Sequence, residues 1–275
     1  MSIKPAIVKA LSRAAGKMAG WRIKARHALR AANLGKPAGV EVWRGKSEIN
    51  NQPIVAVLTG LQSASANRKT GDVLQLWIFP QDESPSAAVR SGLDAAVCGQ
   101  CRHRPSLGGS CYVRTSDAPR AVWSSWSRGR YPVVDVETLR TIVAGALVRL
   151  GSWGDPAALP LASVLPWIGA AGRVVGYTHQ WAEPYALPWR ALCMASVDTP
   201  AERIRARAAG WRTFRIRPRG GSVETGETVC PYEVTGLQCA ACMACDGMSR
   251  PRARDVVVEV HGSAGKIKRF EGGAQ

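Results

Sequence analysis

The sequence predicts an α/β fold: a full or partial (β/α) barrel carrying cysteine-rich metal-binding loops, with an open doubly wound α/β sheet as the alternative layout. Three observations predict it. From residue 137 onward, strand-like and helix-like stretches alternate at intervals of roughly 20 residues, the pattern of βαβ units on a parallel sheet. The chain is 275 residues long and 46% apolar, enough for a sizeable core. Seven of its eight cysteines fall into two groups, and grouping of that kind in a reducing compartment points to metal rather than disulfides.

The elements follow in order. Residues 1–33 read as an amphipathic helix, with Ile7, Leu11, Ala14, Met18 and Trp21 on one face and Lys9, Arg13 and Lys17 on another. Leu34-Gly35-Lys36-Pro37 suits its end and a linker. VEVW and IVAVLTGL read as paired strands, and VLQLWIFP (73–80) as a third. Residues 84–96 suit a helix that leads to Cys98, and AVWSSWSRGRYP (121–132) a short one. Then come ETLRTIVAGA (helix), LVRLGS (strand), LASVLPWIGAAG (helix, interrupted by Pro166), RVVGYTH (strand), ALCMASV (strand), TPAERIRARAAG (helix), WRTFRIR (strand) and VVVEVH (strand). In TPAERIRARAAG, Thr199 is placed as N-cap, Pro200 at the first helical position and Gly210 at the C-terminal stop. The chain thus divides into a basic arm (1–36), an α/β metal-binding domain (37–262) and a basic tail (263–275).

The formal charge is +17 and unevenly spread. Residues 1–36 hold nine Lys or Arg and no acid. A second run comprises Arg203, Arg205, Arg207, Arg212, Arg215, Arg217 and Arg219. Such a field favours polyanions, so nucleic acid is the expected partner of the arm and the Arg-rich stretch. A solvated basic face accounts for the Arg run equally well. No apolar run of about 18 residues indicates a membrane span, and the basic N-terminus lacks a signal peptide's apolar core, so a bacterial-type cytoplasm is expected. Oligomeric state is not written in the sequence.

The second cysteine group, VCPYEVTGLQCAACMACDG, spaces Cys230, Cys239, Cys242 and Cys245 as C-x8-C-x2-C-x2-C. Consecutive C-x2-C steps wrap a chain around an iron–sulfur cubane, and four thiolates also suit zinc. The first group, VCGQCRHRPSLGGSCYV, offers only Cys98, Cys101 and Cys111. Either Cys193 or His103 completes a fourth position, or three cysteines hold three irons of a cubane and the fourth iron stays open, as catalytic metal sites keep a position open. Two 4Fe-4S clusters are therefore the first expectation, with zinc as the alternative.

In a parallel α/β sheet, functional residues gather at the carboxyl ends of strands. Those ends read Gly151-Ser152-Trp153-Gly154-Asp155, Thr178-His179-Gln180, Ser196-Val197-Asp198, then Arg215 and Arg217. Asp155, His179 and Arg215 are the candidates for contacting substrate or cosubstrate, and a histidine there can move protons near neutral pH. Asp198 is partly explained by helix capping.

Three cluster cysteines on a (β/α) barrel resemble the radical SAM enzymes. These bind a cubane through three cysteines and S-adenosylmethionine at the unique iron, and many carry an auxiliary four-cysteine cluster. Cys111-Tyr112 matches the aromatic that follows their third cysteine. Gly154-Asp155-Pro156 looks like their Gly-Glu-Pro, which implies a cofactor-binding Gly154. The C-x2-C-x9-C spacing differs from their usual C-x3-C-x2-C. A closer similarity, in the stretches CGQCRHRPSLGGSCYV, RLGSWGDPAAL, GYTHQW, GWRTFRI, VCPYE…QCAACMACDG and VVVEVHG, is to the phage and plasmid "gene product eighty-eight" family, over roughly residues 70–262. It implies a phage or mobile-element origin and brings no established reaction.

Two functions stand side by side at this point. One is an iron–sulfur enzyme of nucleotide or nucleic-acid metabolism with radical SAM-like chemistry. The other is a non-enzymatic zinc or iron–sulfur protein that binds nucleic acid in phage replication or regulation. A rolling-circle nickase is excluded, because His27, His103, His179 and His261 are all isolated and form no His-hydrophobe-His motif.

Overall fold

The segment Leu74–Pro80 is buried along its whole length, as expected for a continuous apolar run at the centre of a sheet. It is β3 of a computed structural model that describes residues 20–64 and 67–273. β1 (Gly39–Lys46) and β2 (Pro53–Thr59) form an antiparallel pair with a register shift between Glu41 and Trp43, and β2 pairs antiparallel with β3. Chain direction then changes. β4 (Leu147–Arg149) lies parallel to β3, and β5 (Arg173–Val175) parallel to β4. This first sheet has the order β1-β2-β3-β4-β5.

At Gly176 the chain passes directly from β5 into β6 (Tyr177–Thr178). The Gly176 carbonyl accepts from Met194 N–H at 2.9 Å, while its own N–H donates to the Cys245 carbonyl. A side chain here would collide with the Cys193 sulfur, 2.9 Å from an added Cβ, and with Leu150. One strand therefore serves two sheets, and glycine makes the change possible. β7 (Met194–Val197), β8 (Thr213–Arg217), β9 (Glu227–Val229) and β10 (Asp255–Glu259) complete the second sheet, order β6-β7-β8-β10-β9, with every neighbour parallel. The protein is thus α/β with two five-stranded sheets, mostly parallel.

Helices cover the sheets: α1 (20–31), α2 (Pro85–Ser91), α3 (Ala95–Cys98), α4 (Ala118–Ser127), α5 (Val136–Val143), α6 (Leu161–Ile168) and α7 (Pro200–Ala208). α8 (Pro231–Thr235) and α9 (Cys239–Cys242) carry the second cysteine group, and α10 (Ala264–Gly273) ends the described chain. α7 starts with a full capping box: Thr199 Oγ1 accepts from Glu202 N–H and the Glu202 carboxylate accepts from Thr199 N–H. Pro166 lies inside α6, which continues to Ile168.

An amphipathic N-terminal helix suits an arm, a membrane surface or packing on the body, and its described part takes the last form; the C-terminal segment differs from the tail read in the sequence. Ile7, Lys9, Leu11, Arg13, Ala14, Lys17 and Met18 lie outside the described residues. Of the rest of the segment read as an arm, Trp21, Ala25 and Leu29 are buried in the main core, at the i, i+4, i+8 spacing of a helix packed on the body. Arg22 pairs with Asp72. The segment 263–275, read as a basic tail, contains α10, whose Ile267 and Phe270 are buried with Val260. Two apolar residues among lysines and an arginine gave too short a pattern to announce a packed helix. No helix of the described residues is long and apolar enough to cross a membrane.

Candidate functional site

The first cysteine loop is built on a polar frame. α3 ends at Cys98, and the Cys101 N–H donates back to the Cys98 carbonyl at 3.1 Å. Gly99 has φ +53°, and an added Cβ would sit 2.4 Å from the Gln180 side chain. That side chain fills the vacated space: its Nε2 donates to the Cys98 carbonyl at 3.0 Å and its Oε1 accepts from Gln100 N–H. Arg104 clamps the loop from the other side, donating to Asp94 and to the carbonyls of Gly92 and Gly99. His103 is held between Asp198 Oδ2 (2.8 Å) and Ser110 Oγ (2.7 Å), with its ring stacked on Phe270 of α10. Its carbonyl accepts the Cys111 N–H. His103 is therefore part of the frame, and its two ring nitrogens are engaged by Asp198 and Ser110.

The result brings Cys98, Cys101 and Cys111 into each other's field. Burial pushes the Cys98 thiol well up, and the neighbouring Cys101 and Cys111 push the same way. Cys101 is pushed up to about 12, again mainly by burial, although a hydrogen bond from the backbone at His103 opposes this. These three half-buried thiols resist ionising alone; thiolate is the form in which cysteine binds a metal, and binding releases the proton.

The second group assembles in the same way. Cys230, Cys239, Cys242 and Cys245 all line one small pocket beside Tyr177 and Val256. α9 holds the C-x2-C step, and Met243 in the left-handed region (φ 47°) turns the chain toward Cys245. Burial pushes Cys245 up to about 12, opposed by a hydrogen bond with the Tyr177 phenol. Burial also raises Cys239, while Arg149 and Lys69 pull it down. The loop between β2 and β3 docks on this helix start: Cys239 N–H donates to the Lys69 carbonyl, Ala240 N–H to that of Thr70, and Gln238 Nε2 to that of Arg68.

All eight cysteines are free. Seven of them lie in two groups of thiols, residue types that suit soft or borderline metals and iron–sulfur clusters. Among the described residues, no group of three or more His, Cys, Asp or Glu side chains stands close enough to hold a metal ion. Cys193 joins neither set. It is fully buried in the main core against Gly176, and the ionisable group that perturbs it is Asp155 rather than another thiol.

Between the two sets opens a cavity of about 440 Å³. Cys98, Cys101 and Cys111 line it on one side and Cys239 on the other, with Arg149, Tyr177, Ser196, Phe214, Ile216 and Val258 contributed by the strands. Gly154, Asp155 and His179 lie at the strand ends that face it. Gly154 (φ +84°) passes so close to β3 that an added Cβ would meet the Ile78 carbonyl at 2.7 Å. Its role here is close packing, with Trp153 O accepting from Ile78 N–H. Asp155 is buried. Its Oδ1 accepts from Ala157 N–H and its Oδ2 from His179 N–H at 2.7 Å, and its own N–H donates to the Val97 carbonyl just before Cys98. Burial raises the Asp155 carboxyl against the pull of His179. Asp155 thus ties the first cysteine loop to His179, whose Nε2 is buried without a hydrogen-bond partner.

Arg215 is placed elsewhere. Side chains alternate along a strand, so Phe214 and Ile216 of β8 face the cavity while Arg215 points away. Its guanidinium makes a double hydrogen bond to Glu227 of β9 at 2.7 and 2.6 Å, and both side chains are buried. The expected substrate contact is therefore corrected to a structural ion pair. The same holds for most of the Arg-rich stretch. Arg203 and Arg207 pair with Asp255, Arg212 with Asp246, and Arg217 with Glu259.

Sequence reasoning overlooked Gln180 as the loop's anchor, and Arg149, Lys69 and Tyr177 as lining groups. Arg149 left a signal: a charge inside the apolar strand LVRL. No family model, curated protein or solved structure matches the chain.

Proposed function

We propose that this protein is an iron–sulfur enzyme of phage or mobile-element origin with radical SAM-like chemistry, acting in nucleotide or nucleic-acid metabolism. One observation carries this reading. All three cysteines of the first loop line a cavity that strand-end residues and Cys239 also line, while the four cysteines of the second group together line a smaller pocket. A three-thiolate set on a cavity suits an open metal position, and a four-thiolate set suits an auxiliary centre.

Cys98, Cys101 and Cys111 would hold the first cluster, and Cys230, Cys239, Cys242 and Cys245 the second. When bound, a cubane with one iron free of protein thiolate supplies one-electron chemistry and a coordination position for the polar end of S-adenosylmethionine. The chain's own residues do the rest. Gln180, Arg104 and His103 hold the loop in shape. Asp155 fixes the His179 backbone and so the place of its imidazole beside the cavity. The apolar and aromatic wall of Trp153, Phe214 and Val258 limits water. The strands that line this cavity would form the inner face of a partial (β/α) barrel.

The test is anaerobic purification with iron and sulfide assays, then titration with S-adenosylmethionine. About eight irons per chain are expected, falling to about four in Cys111→Ser and in Cys242→Ser alike. S-adenosylmethionine should perturb the cluster spectrum in Cys242→Ser and leave it unchanged in Cys111→Ser. Two zinc ions per chain, with no iron, would overturn the enzyme reading in favour of a structural metalloprotein that binds nucleic acid.

A further inference from the structure

Arg149 is half-buried and differs from the arginines packed further inside. Arg104, Arg203, Arg212 and Arg215 each meet a carboxylate, as buried charges generally must. Arg149 sits at the end of β4 on the cavity side, and its one hydrogen bond is to the Tyr112 hydroxyl at 3.2 Å. Among the described residues no carboxylate pairs with it. Lys69 and Arg68 line the same cavity, and among the described residues neither forms a salt bridge, although Glu233 lies within the field of Lys69. The Lys69 ammonium lies 5.8 Å from the centre of the Tyr232 ring. The acid lining this cavity, Asp155, already accepts two backbone N–H groups and lies toward the first cysteine loop.

The cavity therefore has a cationic wall that its one lining acid does not neutralise. Arg149 and Lys69 both act on Cys239, and a guanidinium presents a planar fork that matches phosphate. Tyr112, Tyr177, Phe214 and Tyr232 line the same cavity and give it aromatic surface. The volume of about 440 Å³ falls in the range of small-molecule sites. We infer that Arg149 and Lys69 bind the phosphoryl group of a small, ring-bearing substrate, of the nucleoside monophosphate class, in the cavity that Cys98, Cys101 and Cys111 also line. This inference rests on the reading of the cavity as an active site and adds the class of its substrate.

Two other anions compete for Arg149. One is the charge of the second cysteine set, since Arg149 already acts on Cys239. The other is the carboxylate of S-adenosylmethionine. The experiment separates all three. Full-length protein reconstituted with iron and sulfide is studied by anaerobic equilibrium dialysis. The probes are the four ribonucleoside 5′-monophosphates, their nucleosides and S-adenosylmethionine. The variants are Arg149→Gln and Lys69→Gln, and iron content is measured for each.

At least one monophosphate should bind tenfold or more tightly than its nucleoside. Arg149→Gln and Lys69→Gln should each reduce that ratio severalfold, with iron content and S-adenosylmethionine binding unchanged. Equal binding of every monophosphate and its nucleoside would overturn the inference. So would a ratio unchanged in both variants, whether Arg149→Gln loses iron or loses S-adenosylmethionine. Should Arg149→Gln fail to fold, Lys69→Gln, on a loop, decides alone by the same ratio. Failure of the enzyme reading shows differently: no iron, with the phosphate preference retained.

Discussion

Gln180 holds Cys98 by its backbone: the buried side-chain amide donates to the Cys98 carbonyl at 3.0 Å and accepts the N–H of Gln100. Gly99 lies between them with φ +53° and no side chain in the way. The loop that presents three thiols to the cavity is thus shaped from a strand end 82 residues away. Gln180→Leu removes both hydrogen bonds and leaves a carbonyl and an N–H facing an apolar group. Each such orphan costs about 1–3 kcal/mol. The expected outcome is a loss of stability in urea unfolding, together with loss of the first metal equivalent and retention of the second. Equal loss of metal from both sites, or from neither, would refute the anchoring role.

A second expectation concerns Arg215. Its guanidinium and the Glu227 carboxylate are buried together, so breaking the pair leaves a charge without a partner. Glu227→Gln should destabilise the protein by about 3–5 kcal/mol at neutral pH, with metal content unchanged in the folded fraction. The pH dependence has a definite sign. Burial works against the Glu227 charge most strongly, but Arg215, the Glu224 N–H and Arg203 together outweigh it and hold the carboxyl below its ordinary value of 4.5. A depressed carboxylate stabilises fully above the unfolded value and loses that contribution as pH falls through the folded one, because the unfolded chain binds more protons in between. Denaturation midpoints measured below pH 5 should therefore fall with pH more steeply in the wild type than in Glu227→Gln. Parallel curves would exclude the pair as a source of acid sensitivity.

These residues show what the sequence made legible and why it stopped. Local patterns were readable. Thr199-Pro200 placed the start of α7, and the continuous apolar run placed β3, because both depend on neighbours in the chain. That Cys230, Cys239, Cys242 and Cys245 would share one pocket was readable from spacing, since short loops keep their own thiols near each other. Arg215 was misplaced because reading the end of a strand ignores its pleat: one residue's shift moves a side chain to the opposite face. Glu227 was invisible as its partner because β9 is three residues long and carries little pattern. Gln180 and Arg149 owe their roles to segments far apart in sequence, and a lone polar residue in an apolar run does not say what it will meet. The basic stretch near Arg212 looked like a surface for polyanions until its acids, Asp246 and Asp255, were brought beside it by β10 and the second cysteine loop.

The N-terminal segment gives the last expectation, and it bears on the alternative of nucleic-acid binding. Deleting residues 1–36 would confuse two effects. Trp21 and Leu29 are buried in the main core, and Arg22 pairs with Asp72, so the truncation removes part of the fold along with the charge. Trp21→Ala alone should cost about 3–5 kcal/mol through the cavity it leaves, measurable as a lowered urea midpoint with DNA affinity unchanged in the folded fraction. Deleting only residues 1–19 removes Lys4, Lys9, Arg13 and Lys17 and spares those contacts. If these four charges meet phosphates, each contributes about 0.9 to the slope of log affinity against log salt. The slope should therefore shrink by up to about 3.6, while metal content and the unfolding midpoint stay near wild type. A slope that does not change on this deletion would remove these four charges from any role in binding nucleic acid. With most of the Arg203–Arg217 stretch already paired to acids, the nucleic-acid reading would then rest on the exposed Lys24, Arg26 and Arg30 of α1, which substitution to Gln, in place of deletion, would test without removing Trp21 and Leu29.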